Sequence, residues 1–342
     1  FFFDYAMARW LVSVLLLCAL WTGKGLLDSE CAVGSSECRI TRPHYVYEEQ
    51  TVISADSELY FNNVLHCTQH LCTLTIKSSR VVVDSNAHIT AGMVNIIANE
   101  VGIKGVINTD GRGHGSSQGP GPGDVPISLY DGAIGGGYYG PGRTRCHGSS
   151  FGSAVQFGKG EYGDEEENVE NFDHHVGSGG GQGRTTDVLG GRGGGAIYIN
   201  ASTILVMDGR LTASGQPGMP GVDGSCDGGG GGSGGSIMLQ APMVNGSGVV
   251  YAMGGKGGAT IDGRQADINL LQGCYDAQQY GSPGGNGEGG RIVLTTPTVH
   301  HGIQMSVKGG VQNEWACVDG ADGQIFYSST RYFNPPEYAK ND

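Results

Sequence analysis

Four stretches of the chain begin and end on glycine and share one spacing of apolar residues. They run from Gly92 to Gly111, Gly195 to Gly215, Gly235 to Gly254 and Gly290 to Gly309. Aligned, they form columns of matching residues: Val94, Ile197, Ile237 and Ile292; then Ile96, Ile199, Leu239 and Leu294; then Ala98, Ala201, Ala241 and Thr296. Apolar residues at every second position predict β-strands, because successive side chains of a strand point to opposite faces.

A second apolar group follows in each stretch after a short break. Its columns hold Val101, Ile204, Val244 and Val299, and later Ile107, Leu211, Val250 and Met305. A further unit precedes Gly92, with Leu74, Ile76, Val81, Val83 and Ile89. A repeated two-strand unit can bury its apolar face only against its neighbours. The pattern therefore predicts an all-β fold, a parallel β-helix or β-solenoid of about five coils.

The predicted coils divide the chain into segments. Residues 26–72 are expected to form an N-terminal cap, with one possible strand at Leu59 to Phe61, because the open end of a solenoid is an unpaired sheet edge. The expected segments are 1–25 (upstream residues and a signal peptide), 26–72 (cap), 73–327 (solenoid, with insertions at 112–194, 216–234 and 255–289) and 328–342 (polar tail).

Glycine is concentrated in the insertions. The chain has 64 glycines, and all but five lie between Gly105 and Gly323. Glycine runs have no side chain to bury, so they form either flexible linkers or left-handed extended helices packed backbone to backbone. The sequence leaves both alternatives open.

The N-terminal residues have the form of a secretory signal. Met7 and Arg9 precede a short apolar run from Leu11 to Leu20, which is too short to span a bilayer. We therefore expect a secreted chain with no membrane span in its mature form, and the alternative is an uncleaved anchor. Polar residues 328–342 carry no lipid-anchor signal.

Loss of the signal removes Cys18 and leaves eight cysteines. In a secreted chain an even number favours disulfides. Short separations favour the pairs Cys31 with Cys38 and Cys67 with Cys72, whereas the pairing of the last four stays open. The disulfide candidates are Cys31, Cys38, Cys67, Cys72, Cys146, Cys226, Cys274 and Cys317.

Charge and metal-ligand patterns limit the partners. A formal net charge of −13 disfavours nucleic acid and anionic lipid surfaces. His66, Cys67, His70 and Cys72 could hold zinc only as reduced thiols, so a disulfide is the stronger interpretation. Paired aspartates in the loops are compatible with calcium, although the nonapeptide of calcium-binding β-rolls is absent. No other cofactor is predicted.

Two groups of residues are candidates for chemistry that involves sugars. Asn200 and Asn245 begin Asn-x-Ser tripeptides and fall at solvent-facing positions, which makes them candidate N-glycosylation sites. The long insertion 112–194 is rich in aromatic and acidic residues, and Tyr138, Tyr139 and Tyr162 are candidates for stacking on sugar rings.

No catalytic residue is predicted. The outward strand positions are Asn95, Tyr198, Met238 and Val293, so the coils carry no ladder of carboxylates for glycoside hydrolysis. An enzyme acting on polysaccharides through its loops is an alternative that rests on fold analogy alone.

Three glycine-containing runs carry a family resemblance. They are residues 228–239, residues 190–199 and residues 105–111. With these runs the chain resembles, over roughly residues 60–327, large secreted glycine-rich surface and wall proteins of plants and protists, and bacterial surface proteins with similar coils. A weaker likeness is to the glycine-rich region of anaplastic-lymphoma-type receptor kinases, where glycine runs form packed extended helices.

The first resemblance implies a right-handed parallel β-helix-like architecture at a cell surface or in a wall matrix, and it brings no catalytic residues. The expectation from the whole sequence is a non-catalytic structural or adhesive surface protein. Its expected partners are other copies of itself, matrix or surface proteins, or glycans. The alternatives are a glycan-binding module and a polysaccharide-active enzyme.

Overall fold

The structure is a computed structural model that describes residues 36–125, 133–138, 143–144, 156–157, 176–184, 186–221, 227–259, 284–299, 302–311 and 320–328. The regular secondary structure of the described residues consists of strands, and these residues contain no helix. Consequently, no helix in these ranges could cross a membrane. The fold is all-β, as the periodicity predicted.

The chain forms twenty described strands. In order they are β1 (Glu37–Ile40), β2 (His44–Val46), β3 (Gln50–Ser54), β4 (Glu58–Phe61), β5 (Val64–Cys67), β6 (Thr73–Val83), β7 (His88–Thr90), β8 (Met93–Ile103), β9 (Val106–Asn108), β10 (Arg143–Thr144), β11 (Gln156–Phe157), β12 (Ala196–Met207), β13 (Arg210–Thr212), β14 (Ser236–Gln240), β15 (Met243–Asn245), β16 (Val249–Tyr251), β17 (Arg291–Thr295), β18 (Thr298–Val299), β19 (Gln304–Ser306) and β20 (Gln324–Ser328).

Two parallel sheets contain all of these strands except the short antiparallel pair β10 and β11. The large sheet has eleven strands in the order β1-β4-β6-β8-β12-β14-β17-β20, with β3, β15 and β18 beside this path. The small sheet has seven strands, in the order β19-β16-β13-β9-β7-β5-β2. The chain passes repeatedly from the large sheet to the small one, as from β6 to β7 or from β8 to β9, although β3 and β4, β14 and β15, and β17 and β18 are consecutive strands of the large sheet. This arrangement is compatible with a β-solenoid.

The register of the large sheet confirms the predicted columns. Ile197 pairs with Val94 on one side and with Ile237 on the other, and Ile237 pairs with Ile292. All four side chains have no exposed surface and belong to one continuous apolar core. In the small sheet, Leu211 pairs in the same way with Ile107 and Val250. Rows of aliphatic side chains from both sheets therefore share one dry interior.

One predicted column is wrong by one residue. The sequence placed Ile204 beside Val101 and Val244, but Leu205 takes that position and is fully buried. An irregularity between Ala201 and Ile204 shifts the register of β12 against β8. A bulge of this kind turns the following side chains to the other face, so counting by twos through it gives the wrong residue.

The strands begin earlier than the sequence indicated. Only Leu59 to Phe61 was predicted as a strand before residue 73, and it lies in β4. The segment assigned to a cap also contains β1, β2, β3 and β5, which pair in the same two sheets. Ile40 and Phe61 from this segment are fully buried in the shared core.

Candidate functional site

The described parts of the glycine-rich insertions are joined by backbone hydrogen bonds. We call them the glycine array, and residues 229–235 form its central segment. Along this segment, successive backbone amides donate hydrogen bonds to the carbonyls of three different neighbouring segments, in a repeating order. The donor and acceptor pairs are Gly229 to Met219, Gly230 to Gly181, Gly231 to Gly285, then Gly232 to Gln216, Ser233 to Ser178 and Gly234 to Glu288. A repeat of three residues per turn is typical of polyproline II helices, which leave every backbone group free for a neighbour.

The carbonyls of the central segment accept hydrogen bonds from three further segments. Gly191 donates to Gly230, Gly255 donates to Gly232 and Gly136 donates to Gly231, at N to O distances of 2.8 Å in each case. The central segment is thus hydrogen-bonded to six neighbours: 213–219, 178–181, 285–288, 191–194, 255–258 and Gly136. These hydrogen bonds favour packed extended helices over flexible linkers for the described glycines.

Close approach, and not an unusual backbone angle, makes glycine necessary in the array. Among the described glycines only Gly111, Gly119 and Gly246 have φ in the left-handed region. A Cβ atom on Gly231 would lie closer than 3.0 Å to the carbonyl oxygen of Gly255, and the same addition on Gly230 would meet Ile134. Both obstacles are backbone atoms of neighbouring segments, which cannot rotate away as a side chain can.

A few polar side chains are buried within the array. Glu288 Oε2 accepts a hydrogen bond from the Tyr138 amide at 3.0 Å, and Asn286 Oδ1 accepts one from Gly257 at 3.0 Å. The Ser233 hydroxyl accepts a hydrogen bond from the Ser178 amide at 2.8 Å. These side chains supply acceptors to buried amides, which are rarely left unpaired in folded proteins.

Tyr138 was predicted to stack on sugars, and the structure places it in the interior. Its side chain has no exposed surface. Burial raises the pKa of Tyr138 to about 12, against smaller opposing effects of Arg291 and Ser236. A ring with no exposed face cannot stack on a sugar, so this candidate is wrong. Tyr139 and Tyr162 lie outside the described residues.

The two candidate glycosylation residues lie on different parts of the large sheet. Asn200 is half-buried within β12, at the last pair of the register with β14, and its tripeptide partner Ser202 donates a hydrogen bond to Asn99 Oδ1 at 2.8 Å. Asn245 is exposed, and its side-chain oxygen accepts a hydrogen bond from the Gly246 amide at 2.8 Å. Modification at either residue stays a prediction.

An open polar groove of about 420 Å³ runs beside Asn200. Its wall includes Lys77, Asp56 and Asn99, the apolar side chain of Ile97, and several small side chains. The groove offers hydrogen-bonding groups of both kinds but no close pair of carboxylates among its lining residues. Its chemistry therefore fits weak polar contact better than acid and base catalysis.

The outward column of the large sheet has the predicted register, but three of its four residues are buried and not exposed. Tyr198 pairs with Asn95 and Met238, and Met238 pairs with Val293. Tyr198, Met238 and Val293 are buried and pack together as a second small cluster. The Tyr198 hydroxyl donates to Gln240 Oε1 at 3.2 Å, and burial raises the pKa of Tyr198. The buried cluster in this column is apolar, and the four residues of the column include no carboxylate.

One predicted disulfide is confirmed. Cys67 and Cys72 are bridged, with their Cα atoms 6.3 Å apart. Cys38 is also disulfide-bonded, whereas Cys31, Cys146, Cys226, Cys274 and Cys317 lie outside the described residues. The bridge occupies both sulfurs of the zinc alternative, so Cys67 and Cys72 are not thiolate ligands in this state.

The described residues contain no group of three or more metal-ligating side chains that could hold a metal ion. Of the paired loop aspartates, Asp227 forms an ion pair with Arg184 at 3.0 Å, and Asp322 accepts a hydrogen bond from the Gly309 amide at 3.0 Å. Asp223, Asp262, Asp267 and Asp319 lie outside the described ranges. Both described aspartates thus already have partners within the protein.

Comparison of the chain with protein-family models, with curated proteins and with solved structures finds no match. The resemblance to glycine-rich surface proteins therefore stays an expectation from the sequence.

Proposed function

We propose that the protein is a non-catalytic structural or adhesive component of a cell surface or extracellular matrix. In this proposal it is secreted and forms a disulfide-stapled β-solenoid of about five coils, with glycine-rich insertions at 112–194, 216–234 and 255–289. Its partners are other copies of itself, matrix proteins or glycans.

The observation that carries the proposal is the central segment with hydrogen bonds to six neighbours. Such an array and two long parallel sheets restrain the chain through its backbone along the whole described length. A body of this kind is suited to bearing load and presenting surfaces.

Aggregation of coated beads tests the adhesive role. Beads carrying the full chain, produced in a secretory host, are expected to aggregate with each other, whereas beads carrying an unrelated folded secreted protein are not. A chain that stays monomeric and leaves its beads dispersed at every concentration contradicts self-adhesion. Release of reducing ends from polysaccharides by the chain would instead favour the enzyme alternative.

A glycan-binding module is the second candidate, and the aromatic residues of the 112–194 insertion are its basis. Deleting this insertion would be a poor test, because residues 178–181 and 191–194 are two of the six neighbours of the central segment. The Tyr139→Ala and Tyr162→Ala variants leave those neighbours in place. The test is therefore a glycan array probed with the full chain and with each of these two variants. Selective binding lost in either variant would favour this candidate over the structural one.

A further inference from the structure

Two arginines from distant parts of the chain donate hydrogen bonds to backbone carbonyls and have no carboxylate partner among the described residues. Arg112 Nη1 donates hydrogen bonds to the carbonyls of Cys67 at 3.2 Å and Gln69 at 3.1 Å, both in the disulfide loop. Arg192 Nη2 donates to the Gly113 carbonyl at 3.2 Å. The ion pairs within the described ranges involve other arginines: Arg39, Arg80 and Arg184.

Three histidines complete this group, which we call the cationic cluster: Arg112, Arg192, His66, His70 and His114. His66 Nε2 lies 3.4 Å from Arg112 Nη2. Burial and the neighbouring arginines lower the pKa of each histidine, and His88 adds to this effect on His66. Burial also lowers the pKa of both arginines, and the charge of Arg192 lowers that of Arg112 further.

The cluster lacks the counter-charge that the rest of the chain supplies freely. The protein has 33 acidic residues and a net charge of −13. Nevertheless, no carboxylate of the described residues lies within ion-pair distance, 4.0 Å from nitrogen to oxygen, of any member of the cluster. The Nε atom of Arg192 is buried and has no hydrogen-bond acceptor in the described structure. Half-buried guanidinium groups without a counter-ion are unfavourable unless an anion pairs with their accessible N–H groups. The Nε atom of Arg192 is enclosed by protein, so the Nη atoms are the ones that could hold such an anion.

We propose that the cationic cluster binds a tetrahedral oxyanion, the sulfate or phosphate group of a small ligand. The planar fork of a guanidinium matches such oxygens, and imidazole N–H groups can donate to those that remain. The overall negative charge disfavours a long polyanion such as nucleic acid, so a single ester group is the fitting ligand. The exposed ring of Tyr45 meets His66 edge to face, with ring centroids 6.1 Å apart, and offers a surface for the ring of a sugar ester.

Titration calorimetry of the full chain with four anions tests the site. The probes are inorganic sulfate, inorganic phosphate, galactose 6-sulfate and glucose 6-phosphate, each up to about 10 mM. Tighter binding of the sulfated sugar identifies the source as a sulfate ester, and tighter binding of the phosphorylated sugar identifies a phosphate ester. Absence of heat with all four probes would overturn the proposal.

Variants separate the cluster from general attraction to positive charge. Arg192→Gln is expected to weaken binding by about tenfold or more, and the double variant with Arg112→Gln to abolish it. The matched control is Arg210→Gln, because Arg210 lies on the small sheet over the ring of Tyr251 and not in the cluster; its affinity should stay within about twofold. Equal weakening by Arg210→Gln would show a nonspecific charge effect and overturn the site.

Arg112→Gln removes two hydrogen bonds to the disulfide loop and could unfold the site. Circular dichroism and the thermal midpoint of each variant therefore accompany the titrations. Arg192→Lys keeps the charge and loses the fork, so intermediate affinity with an unchanged thermal midpoint supports the oxyanion geometry. Wild-type affinity in the folded Arg192→Gln variant would contradict it.

Protonation gives an independent measurement. Bound anion favours the charged form of His66, His70 and His114, so binding takes up protons and tightens as pH falls from about 8 to about 6. Arg112 and Arg192 stay charged throughout this range. Calorimetry with sulfate and galactose 6-sulfate, which do not titrate between about pH 6 and about pH 8, in buffers of different ionisation enthalpy should detect the uptake, whereas the phosphate probes titrate in this range themselves. Binding independent of pH would remove the histidines from the site. The scaffold role stands or falls separately, because bead aggregation is measured without any of the four anions.

Discussion

Strand β8, residues 93–103, and residues 229–235 both contribute buried residues to the interior of the molecule, but different groups hold the two segments in place. Strand β8 is fixed by side chains, since Val94, Ile96 and Val101 fill the core and the backbone pairs with only two neighbouring strands. The central segment of the glycine array is fixed by its backbone, which pairs with six neighbours.

The two modes of packing differ in what they tolerate. A strand core accepts changes in side-chain size at a graded cost, because neighbouring side chains can relax. Backbones packed against backbones have no side chain between them that could adjust. The array should therefore respond to one added methyl group more sharply than the strands respond to the loss of three carbons.

Gly231→Ala is expected to have the largest effect. Its Cβ would meet the Gly255 carbonyl inside van der Waals contact, so at least two segments must separate, at an expected cost above about 4 kcal/mol. The control is Gly102→Ala in β8, because a Cβ there has nothing within 4 Å. Chemical denaturation should show Gly102→Ala unchanged or more stable by about 0.5 kcal/mol. Equal midpoints for the two variants would remove the distinction between the regions.

Ile199→Ala tests the strand region and should have the next largest effect. Ile199 is fully buried between Ile96 and Leu239, and truncation is expected to cost about 3 kcal/mol through lost burial and the remaining cavity. The control is Ile97→Ala. Ile97 lies on the face of β8 opposite to the buried Ile96 and lines the open groove. A cost for Ile97→Ala as large as that for Ile199→Ala would mean that the inward rows are not the stabilising core.

Much of the strand region could be predicted from the sequence, because its information lies in local periodicity. Val94, Ile197, Ile237 and Ile292 share a column in the sequence and share a buried row in the structure. The error at Ile204 arose where β12 breaks the period of two. The strands before residue 58 are short and interrupted, so they gave little period to count.

The glycine array and the cationic cluster could not be predicted in the same way. A run such as Gly228 to Gly232 has no pattern from which a neighbour can be chosen, and its partners come from distant parts of the chain. Tyr138 follows three glycines, and nothing local distinguishes a buried ring there from an exposed one. Arg112 and Arg192 meet only through tertiary structure, although His66 and His70 were already noted as possible ligands.

Tyr138→Phe gives the smallest and most selective prediction for the array. The ordinary pKa of tyrosine is 10.0, and burial raises that of Tyr138 to about 12. Its unfolded form therefore ionises first, and the stability it supports is complete below pH 10 and is lost as pH rises through 12. At pH 11 the wild-type chain should have lost about 1.4 kcal/mol through this residue.

The Tyr138→Phe variant should lack this loss, while other tyrosines and lysines titrate equally in both chains. The comparison is the difference in unfolding free energy between the two chains at pH 8 and at pH 11. Loss of the hydroxyl contacts can lower the stability of the variant at both pH values, but only a buried, neutral Tyr138 makes the difference depend on pH. A difference that stays constant from pH 8 to pH 11 would mean that the ring ionises as freely in the folded array as in the unfolded chain, and the array would then be open to water at that point.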